Sequence, residues 1–153
     1  GLNDGASALI LASESAVDAL GLQPLVEITS YAQTGLDPKV MGLGPVEAVS
    51  HALEKANLTT HDMDLYELNE AFAAQALGVV QRLAEKHDVS TDSILSKANV
   101  NGGAIALGHP LGASGNRILV TLVHELMRRK GHYGVASLCV GGGMGTAVIV
   151  KSV

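Results

Sequence analysis

The sequence predicts an α/β fold in which helices cover a mixed β-sheet. Short apolar runs rich in β-favouring residues alternate along the chain with segments whose apolar residues recur at helical spacing. The chain has 153 residues, 47% hydrophobic and 16% charged, which suits one ordinary domain with its own core. So little charge also indicates that another domain or subunit covers part of the surface.

The first part of the chain predicts strands, helices and one loop. Ser13 suits the N-cap of the first helix and Gly21 its end, and Pro45 fits the first turn of the second helix because no N–H is needed there. The predicted elements are a doubly buried strand (5–12), a helix (14–20), a strand (24–32), a glycine- and proline-containing loop (34–44), a helix (45–57) and a short strand (64–68).

The second part predicts two long helices and a hairpin. Asn69 is a favoured N-cap and Glu70 would complement the dipole of the helix that follows, so capping is the interpretation we adopt for Glu70. Helical spacing puts Phe72 on the core face of that helix. The predicted elements are a helix (70–86), a polar surface insertion (86–97), a helix from Ser114 or Gly115 to about residue 130, and a hairpin of strands 133–140 and 146–150.

A glycine-rich stretch at residues 99–115 separates the two long helices. Five of its seventeen residues are glycine, and His109 lies between Gly108 and Pro110. Because proline restricts itself and the residue before it, His109 is expected on a stiff, extended piece of backbone. The glycines allow other backbone or a ligand to approach closely. Taken alone, the stretch favours a packed or solvated histidine without a chemical role.

The only cysteine, Cys139, is expected near the end of a buried strand and is followed by glycines 141–143. A thiol beside open backbone N–H groups suits acyl chemistry, because those donors can hold an oxygen on which charge develops. A histidine elsewhere can set the thiol's protonation state. Taken alone, however, a lone cysteine is more often an inert core residue. It cannot form an internal disulfide, so we expect a reducing, cytoplasmic location.

Three segments, in order, resemble the signature sequences of the C-terminal half of thiolases. They are Asn-Glu-Ala-Phe-Ala (69–73), Asn-Gly-Gly-Ala-Ile-Ala-Leu-Gly-His-Pro (101–110) and Cys-Val-Gly-Gly-Gly (139–143). The opening Gly-Leu-Asn-Asp-Gly-Ala (1–6) resembles the segment with which that half begins. The resemblance implies a thiolase-like domain over residues 1–153, without the N-terminal domain that bears the nucleophilic cysteine.

The resemblance also implies the roles of individual residues in joining or cleaving acyl-CoA thioesters. His109 would activate the nucleophilic thiol and help to hold one oxyanion, and Cys139 would be the acid and base at the substrate α-carbon. Asn69 would fix a water at the first oxyanion site, and the backbone N–H of Gly141 would serve the second. Ala71 and Phe72 would line the pantetheine tunnel, although a core position for Phe72 is nearly as well supported.

Within the family, two features favour the short-chain type that makes acetoacetyl-CoA from two acetyl-CoA molecules. These are Asn-Val-Asn at 99–101 and Gly-Ala-Ser-Gly at 112–115, since the degradative 3-ketoacyl-CoA type more often has cysteine at the position of Ala113. The resemblance implies coenzyme A and acetyl-CoA as substrates, no tightly bound cofactor, an N-terminal thiolase domain as partner and a homotetramer. The first residue is glycine, so we expect a piece of a longer protein, inactive alone.

Composition argues against several other classes. A net charge of −5 disfavours nucleic acid or an anionic membrane as partner, and no apolar run approaches the length of a membrane span. The six histidines lack a metal-ligand spacing with acids or the cysteine. Three alternatives stay open: a Cys139–His109 hydrolase, a nucleotide-binding module using the glycines at 141–145, and an interaction domain without catalysis.

Overall fold

Four β-strands and six α-helices make up residues 3–153, which the computed structural model describes. The strands are β1 (Val26–Gly35), β2 (Leu65–Leu68), β3 (Tyr133–Val140) and β4 (Met144–Ser152). The helices are α1 (Glu14–Leu20), α2 (Gly44–Ala56), α3 (Ala73–His87), α4 (Thr91–Leu95), α5 (Ala104–Leu107) and α6 (Leu111–Arg129), with 3₁₀ helices at Pro38–Leu43 and Thr60–Asp62. Gly1 and Leu2, which open the first segment of family resemblance, lie outside the described residues.

The four strands form one mixed sheet in the order β1–β4–β3–β2. β4 is antiparallel to both β1 and β3, whereas β2 is parallel to β3. The parallel pair brings Leu68, the last residue of β2, opposite Ser137 of β3. The predicted α/β fold with a mixed sheet is therefore confirmed.

Helices cover the two faces of this sheet unequally. α2, α3 and α4 enclose the larger core, which contains buried Leu53, Leu83 and Ile94. α6 packs on the other face, where Leu122 and Leu126 meet apolar residues of β2, β3 and β4. Successive side chains of a strand point to opposite faces of the sheet, so alternate residues of β2 lie in different cores.

Several local predictions are confirmed at or close to their expected bounds. The Ser13 side chain accepts a hydrogen bond from the N–H of Ala16 at 3.3 Å, and Gly21 ends α1 with a φ of 60°. Pro45 lies in the first turn of α2. β2, β3 and the hairpin also form as expected, with β4 two residues longer at each end.

The strand predicted at residues 5–12 is absent from the structure, so that prediction was wrong. The segment has no helix or strand, and Ile10 and Leu11 are 94% and 75% exposed. An apolar run predicts burial but does not identify the surface that covers it. Within residues 3–153, no strand pairs with this segment.

Other departures concern where elements begin. β1 runs from Val26 to Gly35 rather than over 24–32, and part of the predicted loop after it forms the 3₁₀ helix Pro38–Leu43. The predicted surface insertion contains α4, whose Ile94 is 1% exposed and anchors the segment in the larger core. α6 begins at Leu111, three residues before Ser114.

One backbone contact ties α2 to the sheet and yields a stability prediction. A Cβ on Gly145 of β4 would lie 2.1 Å from the carbonyl oxygen of Gly44, the first residue of α2. Backbone cannot yield as a side chain does, so Gly145→Ala should lower the free energy of unfolding by about 1–3 kcal/mol or more. Urea denaturation checks this. Gly112→Ala is the matched control, because a Cβ there meets nothing within 4 Å, and an unchanged Gly145→Ala midpoint would contradict the prediction.

Candidate active site

The ends of β2 and β3 place two of the predicted site residues at one edge of the sheet. Asn69 follows β2 directly, and its N–H donates to the carbonyl of Ser137 at 2.9 Å. Two residues further along β3 lies Cys139, opposite Gly145 of β4. Because β2 and β3 are parallel, the residues at their carboxyl ends share this edge.

Asn69 joins this edge to the glycine-rich stretch. Its side chain is 3% exposed, and its Nδ2 lies 3.5 Å from Nε2 of His109. Its Oδ1 is buried without a hydrogen-bond partner among the described residues. An unpaired buried amide oxygen costs free energy, so this atom is suited to accept a bond from a water or a substrate. The predicted N-cap role of Asn69 was wrong, since α3 begins only at Ala73.

Ser114 and Asn69 together fix the tautomer of His109. The fully buried Ser114 hydroxyl lies 2.6 Å from Nδ1 of His109 and donates to the Pro110 carbonyl at 3.1 Å. Nε2 of His109 faces the amide nitrogen of Asn69, which only donates, so Nε2 accepts and the ring proton lies on Nδ1, which donates to the hydroxyl oxygen. The lone pair of His109 then lies on Nε2, on the side of Asn69, where it can accept a proton.

This role of Ser114 was not predicted from the sequence. The only available signal was a serine five residues after His109, close to the start of a helix. The helix starts at Leu111 and not at Ser114, which turns the hydroxyl back toward the histidine ring.

A cleft of about 680 Å³ opens beside His109. Ala71, Phe72 and residues of α5 line it, together with Asn3 and Gly108. Phe72 is 67% exposed, so its alternative assignment to the core was wrong. The structure thus brings together Ala71, Phe72 and His109, whereas Asn69, Cys139 and Gly141 are not among the residues that line this cleft in the described chain.

Glu70 holds the glycine-rich stretch against the end of β2. Its carboxylate accepts bonds from Nδ2 of Asn99 at 3.0 Å and from the N–H of Ile105 at 3.2 Å. The Asn99 amide in turn bonds both the N–H and the carbonyl of Leu68, each at 2.8 Å. The predicted capping role for Glu70 was therefore wrong: the carboxylate binds residues about thirty positions later instead of its own helix.

Cys139 is the second-last residue of β3, and Gly141 opens the turn between β3 and β4. Cys139 is a free, half-buried thiol, and burial raises its pKa, so the thiol is protonated at neutral pH. Among the described residues no hydrogen bond joins this thiol to His109. The two glycines after Gly141 have φ values of 93° and 88°, and a Cβ on Gly141 itself would meet nothing within 4 Å. The Gly141 backbone is therefore accessible to a ligand.

Glu67 is a buried carboxyl two residues before Asn69, and it should make stability depend on pH. Burial raises its pKa to about 7, although Arg117 opposes the shift and the carboxylates of Glu70 and Glu125 add to it. A folded-state pKa above the unfolded value means that the neutral form favours folding. This contribution is fully present below about pH 4.5 and is lost as the pH rises through about 7.

Glu67→Gln tests this pH dependence. The stability of the variant relative to the unsubstituted protein should rise by about 2 kcal/mol between pH 5 and pH 8. Urea denaturation at several pH values measures it. The control is Glu85→Gln, on the exposed surface of α3, which should change little. If the difference in free energy of unfolding between Glu67→Gln and the parent does not vary with pH, the prediction is wrong.

Two findings limit other kinds of site. Residues 3–153 hold no group of three or more His, Cys, Asp or Glu side chains arranged to bind a metal ion. None of the helices in this range has the length and apolar character that crossing a membrane requires.

Comparison with known proteins identifies similar chains over nearly the whole length. The family model described as "Thiolase, C-terminal domain" matches residues 22–152. The acetyl-CoA acetyltransferase of Chromobacterium violaceum is 56% identical over 151 residues, which are 99% of this chain and 36% of that protein. The human mitochondrial 3-ketoacyl-CoA thiolase is also 56% identical, over 152 residues, 99% of this chain and 36% of that protein.

A solved structure shows the same fold. The human mitochondrial 3-ketoacyl-CoA thiolase in complex with CoA matches with a TM-score of 0.83 and 54% identity, over 93% of this chain and 34% of that one. The chain thus spans about a third of the length of the curated relatives it matches.

Proposed function

Because the chain belongs to the thiolase family, as a C-terminal domain, we propose that it supplies part of the active site of an acyltransferase for acyl-CoA thioesters. The observation that carries the proposal is the contact of His109 with Asn69 beside the cleft. Nε2 of His109 is left as the proton acceptor there, and the Asn69 amide that faces it has a free, buried oxygen.

The proposed chemistry assigns each group one task. His109 takes the proton of the nucleophilic thiol at Nε2, and the resulting imidazolium N–H then helps to hold the thioester oxygen as charge develops on it. Asn69 holds a water that shares this oxyanion. Cys139 gives a proton to the substrate α-carbon or takes one from it, and the Gly141 N–H holds the second oxyanion.

Coenzyme A is proposed as a substrate rather than a resident cofactor. Ala71 and Phe72 line the cleft together with His109, which supports the proposal that they contact the pantetheine arm. Phe72 is 67% exposed, which supports a role in contacting that arm.

We propose that the reaction is the joining of two acetyl-CoA molecules to acetoacetyl-CoA and CoA, together with its reverse. Overall identity does not favour either type, since an acetyl-CoA acetyltransferase and a 3-ketoacyl-CoA thiolase are equally similar. The support comes from residues 99–101 and from Ala113, which adjoins the Ser114 that orients His109. The degradative 3-ketoacyl-CoA type is the second candidate.

The proposal includes partners. Residues 1–153 form one domain that pairs with an N-terminal thiolase domain carrying the nucleophilic cysteine, within a homo-oligomer such as a tetramer. Exposed apolar residues, among them Ile10, Leu11 and Tyr31, support such a covering partner. A reducing compartment such as the cytoplasm would keep the Cys139 thiol free.

Thiolysis assays on the full-length protein test this function. Acetoacetyl-CoA should be cleaved with a kcat/KM at least tenfold that of a 3-ketoacyl-CoA with sixteen acyl carbons. The reverse preference would favour the degradative type, and activity with neither substrate would favour an interaction or binding domain. The 153-residue chain alone should show no turnover, and robust activity from it would refute the assignment of the nucleophile to another domain.

A further inference from the structure

The peptide group that joins Gly108 to His109 is held at both its polar atoms. Its carbonyl oxygen accepts a bond from Nη1 of Arg117 at 2.7 Å. Its N–H donates to Oδ1 of Asn3 at 2.9 Å. These two side chains come from distant parts of the chain, one from α6 and the other from the segment before α1. Neither has a part in the chemistry proposed above.

We propose that Asn3 and Arg117 are positioning residues that set the direction of the His109 ring by clamping this peptide group. The inference deepens the proposed function and rests on it, because it concerns the orientation of the proposed base. It adds two residues that the reaction chemistry itself does not require.

The backbone geometry explains why one peptide group can control the ring. A peptide is planar, so fixing its oxygen and its N–H fixes the plane that contains Cα of His109. Pro110 follows and restricts the backbone of His109 on the other side. The Nδ1 bond to Ser114 then sets the remaining rotation of the ring, so that Nε2 faces Asn69.

Gly108 is built to accept this clamp. Its φ of 93° is one that side-chain-bearing residues rarely adopt, and a Cβ there would lie 2.9 Å from Cγ of Asn3. The Asn3 side chain therefore packs closely against the residue before His109 and also bonds the His109 N–H.

The segment that carries Asn3 follows the histidine loop over several residues. Nδ2 of Asn116 donates to the Ser7 hydroxyl at 2.8 Å, and a Cβ on Gly5 would lie 2.6 Å from Cγ of Pro110. These contacts fix the segment in place without a strand or a helix. They give Asn3 a defined position despite its exposed surroundings.

Arg117 is suited to its part of the clamp by charge as well as by reach. Arg117 is half-buried, and its positive charge opposes the rise that burial causes in the pKa of the Glu67 carboxyl. Its planar N–H donors can bond a carbonyl in a fixed direction, whereas a lysine ammonium rotates freely. Arg117 does not line the cleft in the described chain, so it can affect His109 without contacting the substrate there.

The first test uses Arg117→Lys in the full-length protein. Lysine keeps the charge opposite Glu67 and so protects folding, but it loses the fixed direction of the bond. We expect kcat for thiolysis to fall about 10- to 100-fold, as a misplacement near 1 Å does elsewhere, with KM changed less than about twofold. Arg82→Lys is the control, because Arg82 is an exposed residue of α3 paired with Glu85. An unchanged kcat, or a loss confined to KM, would overturn the positioning role of Arg117.

The second test does not depend on turnover. Asn3→Ala removes the acceptor for the His109 N–H, so hydrogen exchange of that amide should become at least tenfold faster, while Asn3→Asp keeps an acceptor oxygen and should leave it slow. Asn3 and Arg117 act on one peptide group, so their effects on kcat should not be independent. The double variant Asn3→Ala/Arg117→Lys should therefore show a smaller fold-decrease in kcat than the product of the fold-decreases of the two single variants. Unchanged exchange in Asn3→Ala, or fully multiplicative losses, would overturn the clamp. Absence of any acyl transfer by the parent protein would contradict the proposed function, and the exchange result would still decide the clamp.

Discussion

His109→Asn is expected to lower the kcat of the full-length protein about 10³-fold for thiolysis of acetoacetyl-CoA, within the range for loss of a positioned acid–base group. Asparagine can keep a polar contact near the Ser114 hydroxyl, but it has no atom that takes up a proton as Nε2 does. The substitution therefore removes both activation of the nucleophile and one oxyanion donor. Loss of the absorbance of the 3-ketoacyl thioester measures the rate.

The matched control is His124→Asn, on the exposed surface of α6. It replaces the same residue type outside the cleft, on the helix that follows His109, and should leave kcat unchanged. Thermal unfolding of both variants separates a lost base from a lost fold. If His109→Asn folds normally and keeps more than about a tenth of the parent kcat, His109 is not the base.

Elements governed by local rules could be predicted from the sequence. α1 begins at a serine whose side chain accepts a backbone N–H and ends at a glycine with positive φ. α2 begins around a proline, and the β3–β4 hairpin turns at three successive glycines. In each case the preference of one or two residues for a backbone conformation decides the boundary, so no distant contact is needed.

The start of α3 could not be predicted because a distant residue decides it. Asn69 and Glu70 have the right chemistry for a helix start. The Asn99 side chain, however, bonds the backbone of Leu68 and the Glu70 carboxylate, the chain turns and bends over residues 69–72, and α3 begins only after the extended Phe72. A capping preference is worth about 1 kcal/mol, less than several buried polar bonds together.

Dependence on local or distant contacts also decides which site residues can be identified from the sequence. Four site residues belong to motifs that resemble those of a known family: His109, Asn69, Ala71 and Phe72. In the structure Asn69 contacts His109, and Ala71, Phe72 and His109 line the cleft. The residues that orient His109 could not be identified, because their roles depend on single side-chain bonds. Asn3, for example, is 106 positions away from the N–H that it accepts.

Cys139→Ser is expected to reduce kcat about 10³-fold in both the cleavage and the joining of acyl-CoA. In cleavage the departing α-carbon keeps the electron pair of the broken C–C bond and takes a proton from the thiol; joining requires the reverse transfer. Burial raises the pKa of the Cys139 thiol, so it holds its proton at neutral pH and can begin as the acid. A serine hydroxyl of similar size gives up its proton far less readily. Exchange of the acetyl-CoA α-protons in deuterated water should slow in parallel with kcat.

Comparison with Cys139→Ala separates proton transfer from packing. Alanine is smaller and has no exchangeable proton, so if the thiol acts as acid and base, Ser and Ala should lose similar amounts of kcat. If packing at the half-buried end of β3 were the only contribution, the near-isosteric serine would retain most activity and alanine would not. Trapping of an acyl group on Cys139 itself would instead make it the nucleophile and favour the hydrolase-like alternative, since the proposed role leaves its sulfur unacylated throughout.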